Sequence, residues 1–392
     1  MKRFFITVIV CCAVHFSLNA EETWTMQWGG LPRSCLVEFP TSRTGQTGLP
    51  VIFALHGYGA TATAMRNYSK LHLLGDSVGF ITVYPDAYNH RWNSGIGDNP
   101  SYPTLNVDDV GFFSRLIDSL ISRYAIDTQR VYCCGHSNGG FMSIKLAAQL
   151  SNRIAAAASL SGVLTNSTAA GYSAKRPVSL LMIHGTADQV VPFDGGMTGW
   201  FSVGATLSFW ISKNNSLLPP DTIALPDRDT NDQSTVVKYT YRSAVNTSKI
   251  ELLKVIGGGH TWPGAAPSPQ FGATNNDINA NDELWDFFKQ FTMTIDAVPE
   301  MKNYPTGFLL SQNYPNPFNP STTVEFRIQR SEFVILKVFD LLGRKVATLV
   351  NEVKQPGTYT VQWDATGAAS GMYFYRLIAA SFVETRKMMV LK

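Results

Sequence analysis

Charge is scarce in this sequence, and so are long apolar runs. Charged side chains make up 16% of the 392 residues, and the formal net charge is +3. A charge balance this close to neutral argues against nucleic acid or an anionic membrane surface as the partner. The most apolar stretch, residues 4–16, is shorter than the roughly 20 residues that a membrane helix needs. We therefore expect neutral partners and no membrane span.

That apolar stretch follows a basic start, Lys2 and Arg3, and is followed by the small residue Ala20 before two glutamates. A basic beginning, an apolar middle of about a dozen residues and a small residue at a cleavage point are typical of a secretory signal. We predict a signal peptide over residues 1–20 and a secreted or cell-surface protein.

Cysteine is also scarce. Of five cysteines, two lie in the predicted signal, which leaves Cys35, Cys133 and Cys134. An odd number in an exported protein allows at most one ordinary disulfide. Cys133 and Cys134 lie in an apolar strand, where cysteine packs as a small hydrophobic residue. A disulfide from Cys35 to one of them stays open.

Apolar, β-rich runs recur along the first three quarters of the chain, with helical spacing between them. Runs that are apolar throughout are typical of parallel strands covered on both faces, and their alternation with helices predicts an α/β fold. We expect an antiparallel lead-in pair over residues 23–39 ahead of this sheet. The predicted strands are 49–55, 79–84, 130–134, 154–160, 178–184 and 250–256, and the predicted helices are 109–122, 140–150, 206–213 and 282–291.

The composition changes near residue 294. From residue 322 onward, short alternating strands are separated by turn signals at a spacing of about 8 to 12 residues, which is typical of a small all-β sandwich of immunoglobulin-like type. We therefore predict a catalytic domain over residues 21–293, a linker over 294–312 and a β-sandwich over 313–392. The predicted sandwich strands are 322–328, 333–340, 345–350, 357–363, 371–379 and 384–390.

The strongest motif is Gly135-His136-Ser137-Asn138-Gly139, which lies between a predicted strand and a predicted helix. A serine at a sharp turn from strand to helix is exposed as a nucleophile, and the flanking glycines allow strand and helix to approach closely. The context therefore predicts that Ser137 is an activated nucleophile of an α/β-hydrolase fold, with helices on both faces of the sheet.

A nucleophilic serine needs a base and an acid, which follow it along the chain in this fold. Of seven histidines, only His260 lies downstream of every plausible acid, in a glycine-rich loop. Asp188 follows the predicted strand 178–184 and would orient the imidazole. Asp194 is the alternative acid.

A tetrahedral intermediate also needs hydrogen-bond donors for its oxyanion, each contributing roughly 3 kcal/mol. The backbone N–H that follows the nucleophile, that of Asn138, is one candidate. The loop after an early strand supplies the other, and there we assign the N–H of Tyr58.

Residues 275–283 are rich in oxygen ligands but lack the glycine and glutamate positions of a calcium loop. We expect this segment to cap the helix that begins near Asp282. The sequence thus predicts neither a metal site nor a cofactor.

Residues 45–291 resemble the secreted esterases grouped as polyhydroxybutyrate depolymerase-like, which also include bacterial feruloyl and acetylxylan esterases. The resemblance implies ester hydrolysis through an acyl-serine, with Ser137, Asp188 and His260 as the triad. The sequence departs from the family at Tyr58, where a cysteine is frequent. The matching segments are His56-Gly57, Tyr84-Pro85-Asp86, Trp92-Asn93, 108–112, 135–140, 184–188 and 258–264.

The C-terminal region resembles the sorting domain of the type IX secretion system. The resemblance rests on residues 313–323, on Gly371-Met372-Tyr373 and on the last six residues, 387–392. It implies a secretion machinery as partner and passage across an outer membrane. An immunoglobulin-like spacer or a glycan-binding module is the alternative.

The substrate is less defined by the sequence. Trp92 and Trp262 would flank Ser137 and offer aromatic walls to a phenolic acid or a sugar, or else they only anchor loops. We expect an esterase acting on feruloyl or acetyl groups of plant polysaccharides. A polyester depolymerase is the alternative, and a non-catalytic surface glycan-binding protein is the alternative from another class.

Overall fold

The computed structural model describes residues 21–43, 46–293, 308–328, 332–354, 357–379 and 382–392. The chain divides into two units, the first ending at Thr294 and the second beginning at Ile295. The predicted signal peptide lies outside the described residues, as does most of the predicted linker.

The described residues of the first unit form one ten-stranded sheet. The strands are β1 (Glu21–Trp28), β2 (Leu31–Glu38), β3 (Val51–Leu55), β4 (Ile81–Pro85), β5 (Val131–His136), β6 (Ala156–Leu160), β7 (Ser179–Gly185), β8 (Asp221–Ala224), β9 (Thr235–Arg242) and β10 (Lys249–Ile256). Their order across the sheet is β1-β2-β4-β3-β5-β6-β7-β10-β9-β8. Neighbours from β4 to β10 pair in parallel, and the two strands at each end pair antiparallel.

Alternating side chains of the central strands enter two different cores. In β3, Phe53 belongs to the hydrophobic cluster on one face of the sheet, and Ile52 belongs to the cluster on the other. All five residues of β3 are buried. A strand covered on both faces must be apolar at every position, which is why the parallel strands were predictable from their unbroken apolar runs.

Helices cover both faces. They are α1 (Ala62–Ser69), α2 (Leu71–Val78), α3 (Asp109–Tyr124), α4 (Asn138–Gln149), α5 (Asn166–Ala170), α6 (Val203–Asn214) and α7 (Ala280–Phe288). Phe112 and Leu116 of α3 pack in the cluster of Phe53, whereas Leu284 and Phe287 of α7 pack in the cluster of Ile52. This arrangement is the predicted α/β-hydrolase architecture.

Two parts of the sheet differ in how well the sequence predicted them. The lead-in pair β1 and β2 is present and antiparallel, as expected. Strands β8 and β9 were not predicted, because β8 is exposed at every position and β9 has few buried residues. At a sheet edge the solvent-facing side chains break the apolar run that identifies a strand.

Among the described residues of the first unit, which contains the predicted catalytic domain and is called the catalytic unit below, the three cysteines Cys35, Cys133 and Cys134 are buried and free. Cys133 and Cys134 lie in β5, as predicted, and face opposite cores. Burial raises the pKa of the Cys35 thiol to about 12, and it raises the pKa of Cys133 and Cys134 as well.

The second unit is built from strands alone among its described residues: β11 (Leu309–Leu310), β12 (Ser321–Ile328), β13 (Glu332–Phe339), β14 (Lys345–Lys354), β15 (Gly357–Asp364), β16 (Gly371–Ala379) and β17 (Phe382–Val390). They form a three-stranded sheet, β11-β12-β15, and a four-stranded sheet, β14-β13-β16-β17. Phe326 of the first sheet and Tyr375 of the second share one hydrophobic core. In the described parts of both units, no helix has the length and apolar character of a membrane span.

Candidate active site

Ser137 lies at the turn between β5 and α4, with φ 54° and ψ −121°. Such a backbone is strained for a residue with a side chain, and it turns the chain sharply from strand to helix. The close approach requires the flanking glycines, because a Cβ on Gly139 would overlap the carbonyl of Leu55, and one on Gly135 would overlap Gly139 itself. The Ser137 N–H donates to the carbonyl of Leu160 at 2.9 Å, which fixes the turn against β6.

The N-terminus of α4 carries no side-chain cap. Among the described residues, neither the N–H of Asn138 nor that of Tyr58 donates to a protein acceptor. Both residues line the cavity that contains Ser137. A free N–H at the positive end of a helix favours an anionic ligand, which applies to Asn138 at the start of α4, whereas Tyr58 lies in the loop after β3.

His260 and Asp188 are hydrogen-bonded, although 72 residues separate them. The Nδ1 of His260 lies 2.7 Å from Oδ2 of Asp188, and both side chains are buried. The other carboxylate oxygen accepts the N–H groups of Val190 and Val191 at 2.9 and 2.8 Å. Burial opposes ionisation of Asp188, but the His260 bond, the neighbouring imidazoles and the Val191 N–H together hold its pKa below the usual value. Asp188 is therefore a carboxylate with its orientation fixed.

The loop that carries His260 is tied to a neighbouring segment. The His260 N–H donates to the carbonyl of Phe271 at 2.7 Å, and the Gly259 N–H donates to that of Ala273 at 2.9 Å. A Cβ on Gly259 would overlap the Phe271 carbonyl, so glycine permits this approach. With Nδ1 bonded to Asp188, Nε2 is the ring nitrogen of His260 left for another partner, and the Ser137 side chain has no hydrogen bond to another described residue. Both residues line one cavity of about 420 Å³.

Three further histidines lie near this pair: His56 and His184 are buried, and His136 is partly exposed and lines the Ser137 cavity. His56 accepts the Ala87 N–H at Nε2 (3.0 Å), so its proton is on Nδ1, which lies 2.7 Å from the Gly57 carbonyl. Burial lowers the pKa of His56 and of His184. Burial and the nearby His260 lower the pKa of His136 to about 3. The rings of His136 and His260 lie 4.7 Å apart.

The side chain of Asn138 makes two hydrogen bonds that the sequence did not predict. Its Oδ1 accepts the Trp92 N–H at 2.7 Å, and its Nδ2 donates to the Ser94 hydroxyl at 2.6 Å. The next residue of that loop, Asn93, donates its N–H to Asp109 at 2.7 Å, and Asp109 is paired with the buried Arg33 at 2.7 Å. Asn138 thus connects the nucleophile turn to the loop that contains Trp92.

The placement of Trp92 and Trp262 corrects the expectation that they contact substrate. Both are only 1% exposed, and neither lines the cavity of Ser137. The Trp92 indole donates to the His56 carbonyl at 3.0 Å, and the Trp262 indole donates to Asn281 Oδ1 at 3.2 Å. Both are loop anchors, because their indole N–H groups are satisfied inside the protein.

Other aromatic residues line the cavity instead. Tyr102 lies between Tyr58 and Trp200, with ring centroids 5.7 and 5.2 Å away, and Trp200 contacts Phe141 at 4.9 Å. Phe271 lies on the His260 side, 5.9 Å from the imidazole. Tyr102 and Trp200 come from loops without a recognisable motif, and only their spatial neighbourhood reveals them.

The remaining predictions concern the alternative acid and the oxygen-rich segment. Asp194 is exposed, and it does not contact His260. In the segment 275–283, Asn279 caps α7 by accepting the Asn281 N–H at 2.9 Å. Within the described ranges, no group of three or more histidine, cysteine or acidic side chains has metal-binding geometry.

Two family models match the chain, one on each unit. Residues 107–205, which include Ser137 and Asp188, match the model described as Phospholipase/Carboxylesterase. This chain has the α/β-hydrolase fold and is a carboxylic ester hydrolase, called the carboxylesterase below. Residues 312–391 match the model described as Secretion system C-terminal sorting domain. The carboxylesterase is therefore secreted or carried at the cell surface, with the secretion machinery as its partner.

Curated relatives of the carboxylesterase carry esterase names. It is 28% identical to the putative esterase NocK of Nocardia uniformis, covering 61% of this chain and 74% of that protein. It is 29% identical to the bifunctional acetylxylan esterase/xylanase XynS20E of Neocallimastix patriciarum, but covers only 31% of that protein. It is 27% identical to feruloyl esterase D of Neurospora crassa, covering 71% of this chain and 89% of that protein.

Among solved structures, the carboxylesterase is similar to an acetyl xylan esterase from Aspergillus awamori, with a TM-score of 0.45 and 17% identity. That similarity covers 66% of this chain and 94% of the other. The polyhydroxybutyrate depolymerase part of the resemblance stays a prediction.

Proposed function

We propose that this carboxylesterase releases feruloyl-type aromatic acids from plant polysaccharides, with Ser137, His260 and Asp188 as its triad. The observation that carries the proposal is a cavity of about 420 Å³ that is lined by Ser137, His260 and several aromatic side chains. The Asp188–His260 hydrogen bond of 2.7 Å supports the same assignment, since it leaves the other imidazole nitrogen for the serine.

The reaction has two halves. Ser137 Oγ attacks the ester carbonyl while His260 Nε2 takes its proton, and the tetrahedral oxyanion binds the N–H groups of Tyr58 and Asn138. When the intermediate collapses, the imidazolium of His260 protonates the departing alcohol, which leaves an acyl-Ser137. Water then attacks the acyl group with His260 again as the base, and Ser137 is regenerated as the acid is released. Asp188 stabilises the imidazolium in each half.

The cavity favours an aromatic acyl group over acetyl. Tyr58, Tyr102, Trp200 and Phe141 form a continuous set of ring contacts along it. A planar phenolic acid can stack on such a wall, whereas an acetyl group would leave most of the cavity unfilled. The similarity to feruloyl esterase D supports this choice, and the similarity to an acetylxylan esterase supports acetyl as the second candidate.

The test compares methyl ferulate, acetylated xylan and a poly(3-hydroxybutyrate) film as substrates. We expect the highest kcat/KM on methyl ferulate. In Ser137→Ala we expect a loss of at least about 10⁴-fold, since the nucleophile is removed. Ser122→Ala is the matched control, because Ser122 is an exposed residue of α3, and it should retain full activity.

Each alternative has its own outcome. Faster turnover of acetylated xylan than of methyl ferulate would overturn the aromatic assignment. Clearing of the film without release of ferulate would indicate a polyester depolymerase. No turnover of any ester by the wild type would leave the non-catalytic glycan-binding alternative.

A further inference from the structure

We propose that a second cavity, beside the Ser137 cavity and lined by both polar and apolar residues, binds sugar residues of the leaving alcohol. It has a volume of about 700 Å³ and lies between α1, α2 and the segment that follows His260. The inference rests on the proposed function, because it concerns the alcohol half of the same ester. It assigns the polysaccharide a site of its own, separate from the aromatic wall for the acyl group.

The two cavities are adjacent. Ala64 and Tyr68 line both of them, so the ring of Tyr68 lies at their junction. The hydroxyl of Tyr68 accepts the Trp262 N–H at 2.9 Å, and its ring lies 5.7 Å from that of His136. Tyr68 is thus held in place at the point where an ester would pass from one cavity to the other.

The chemistry of the reaction determines on which side the alcohol leaves. His260 must protonate the departing oxygen, so the alcohol leaves on the imidazole side of Ser137. The chain continues from His260 through Trp262 to Gly264 and Ala266, which line the second cavity. The sugar attached to the departing oxygen therefore lies against the segment that forms this wall.

Exposed polar side chains form part of the lining of the second cavity. Asn67, Lys70, Ser77 and Asp282 line it, and none of their side chains has a hydrogen bond or ion pair with another described residue. By contrast, the side chain of Asn281 is already hydrogen-bonded within the protein, since it donates to the Ser69 carbonyl at 2.7 Å and accepts the Trp262 indole N–H. Amide, hydroxyl and charged groups left free in this way are the groups that hydrogen-bond the hydroxyls of a neutral sugar.

The test uses Ala266→Trp, because Ala266 is exposed and lines the second cavity but not the Ser137 cavity. Two substrates separate the halves of the ester: methyl ferulate, whose methanol cannot reach the second cavity, and a feruloylated arabinoxylan oligosaccharide. We expect Ala266→Trp to lower kcat/KM on the oligosaccharide by at least about tenfold and to change that on methyl ferulate by less than about twofold. Ala205→Trp, at an exposed position of α6, is the matched control and should change neither.

Binding measured without turnover keeps the inference separate from the proposed function. Calorimetry with Ser137→Ala and an arabinoxylan oligosaccharide that carries no ferulate should give saturable binding, and the added Ala266→Trp change should abolish it. An equal loss on both substrates, or no binding of the oligosaccharide to Ser137→Ala, would overturn the sugar site. Absence of ferulate release by a wild type that still binds the oligosaccharide would instead refute the acyl assignment and leave the sugar site standing.

Discussion

At the scale of single residues, the hydrogen bond between Asp188 and His260 gives a testable prediction for the proposed acid. In Asp188→Asn the amide can donate to Nδ1, which would place the imidazole proton on Nε2, the wrong nitrogen for accepting the Ser137 proton. We expect kcat on methyl ferulate to fall by about 10⁴-fold with little change in KM. Asp194→Asn is the control, since Asp194 is exposed on the same loop. Similar losses in both variants would contradict the assignment of the acid.

His136 should contribute measurably to the loss of folding stability at acid pH. Its pKa is about 3 in the folded protein and 6.5 ordinarily. Between these two pH values the unfolded chain binds a proton at this residue and the folded chain does not. The free energy of unfolding should therefore fall as the pH falls, by about 2 kcal/mol from this residue between pH 7 and pH 5.

Urea unfolding of the wild type and of His136→Gln at pH 7 and pH 5 measures this contribution. The variant lacks the titrating group, so it should lose about 2 kcal/mol less over the same interval. An identical loss in both proteins would mean that His136 does not carry the effect.

The sequence predicted the positions of the proposed triad better than it predicted which aromatic residues line the cavity. The order of Ser137, Asp188 and His260 along the chain and their neighbouring glycines predicted that they lie together at strand ends; Asp188 and His260 are hydrogen-bonded and His260 shares a cavity with Ser137, and the triad itself stays a prediction. Trp92 and Trp262 were misassigned because an expected loop position does not fix the direction of a ring within the loop. Tyr102 and Trp200 gave no signal, since only the folded loops bring them to the cavity.

At the scale of elements, the buried pair of Arg33 in β2 and Asp109 in α3 connects the sheet to the loop behind the active site. Both side chains are about 1% exposed, and burial raises the pKa of Asp109 in spite of the guanidinium. Asp109→Ala would leave Arg33 buried and uncompensated, so we expect a loss of about 3–5 kcal/mol in the free energy of unfolding.

Asp118→Ala is the control, because Asp118 pairs with Arg153 at the surface and is half exposed. Its removal should cost less than about 1 kcal/mol in chemical denaturation. Equal effects of the two substitutions would show that the Arg33–Asp109 pair does not hold the loop.

The parallel strands could be predicted from the sequence because both of their faces are covered, which makes them apolar throughout. The sandwich strands could be predicted because buried and exposed residues alternate along them. Strands β8 and β9 and helices α1 and α2 could not. Their apolar positions are few or irregular, and tertiary contacts rather than local pattern decide their structure. The second cavity depends on α1 and α2, so it was invisible to sequence reasoning for the same reason.

At the scale of the whole molecule, the two units have separate cores. The clusters around Phe53 and Ile52 contain only residues of the first unit, and the cluster around Tyr375 contains only residues of the second. A chain ending at residue 293 should therefore fold and turn over methyl ferulate with kcat/KM within about twofold of the full chain. In a host with a type IX system the shortened chain should stay out of the culture medium and off the cell surface, as cell fractionation would show. Appearance of the shortened chain there would contradict a sorting role for residues 313–392.

The three buried thiols have a consequence for the conditions in which the catalytic unit can work. Thiolate is the form that attacks oxidants and disulfides, and the raised pKa values of Cys35, Cys133 and Cys134 keep it scarce. None of the three is disulfide-bonded, so the described fold of the catalytic unit contains no oxidised cysteine, and we expect its activity to be the same with and without a reducing agent.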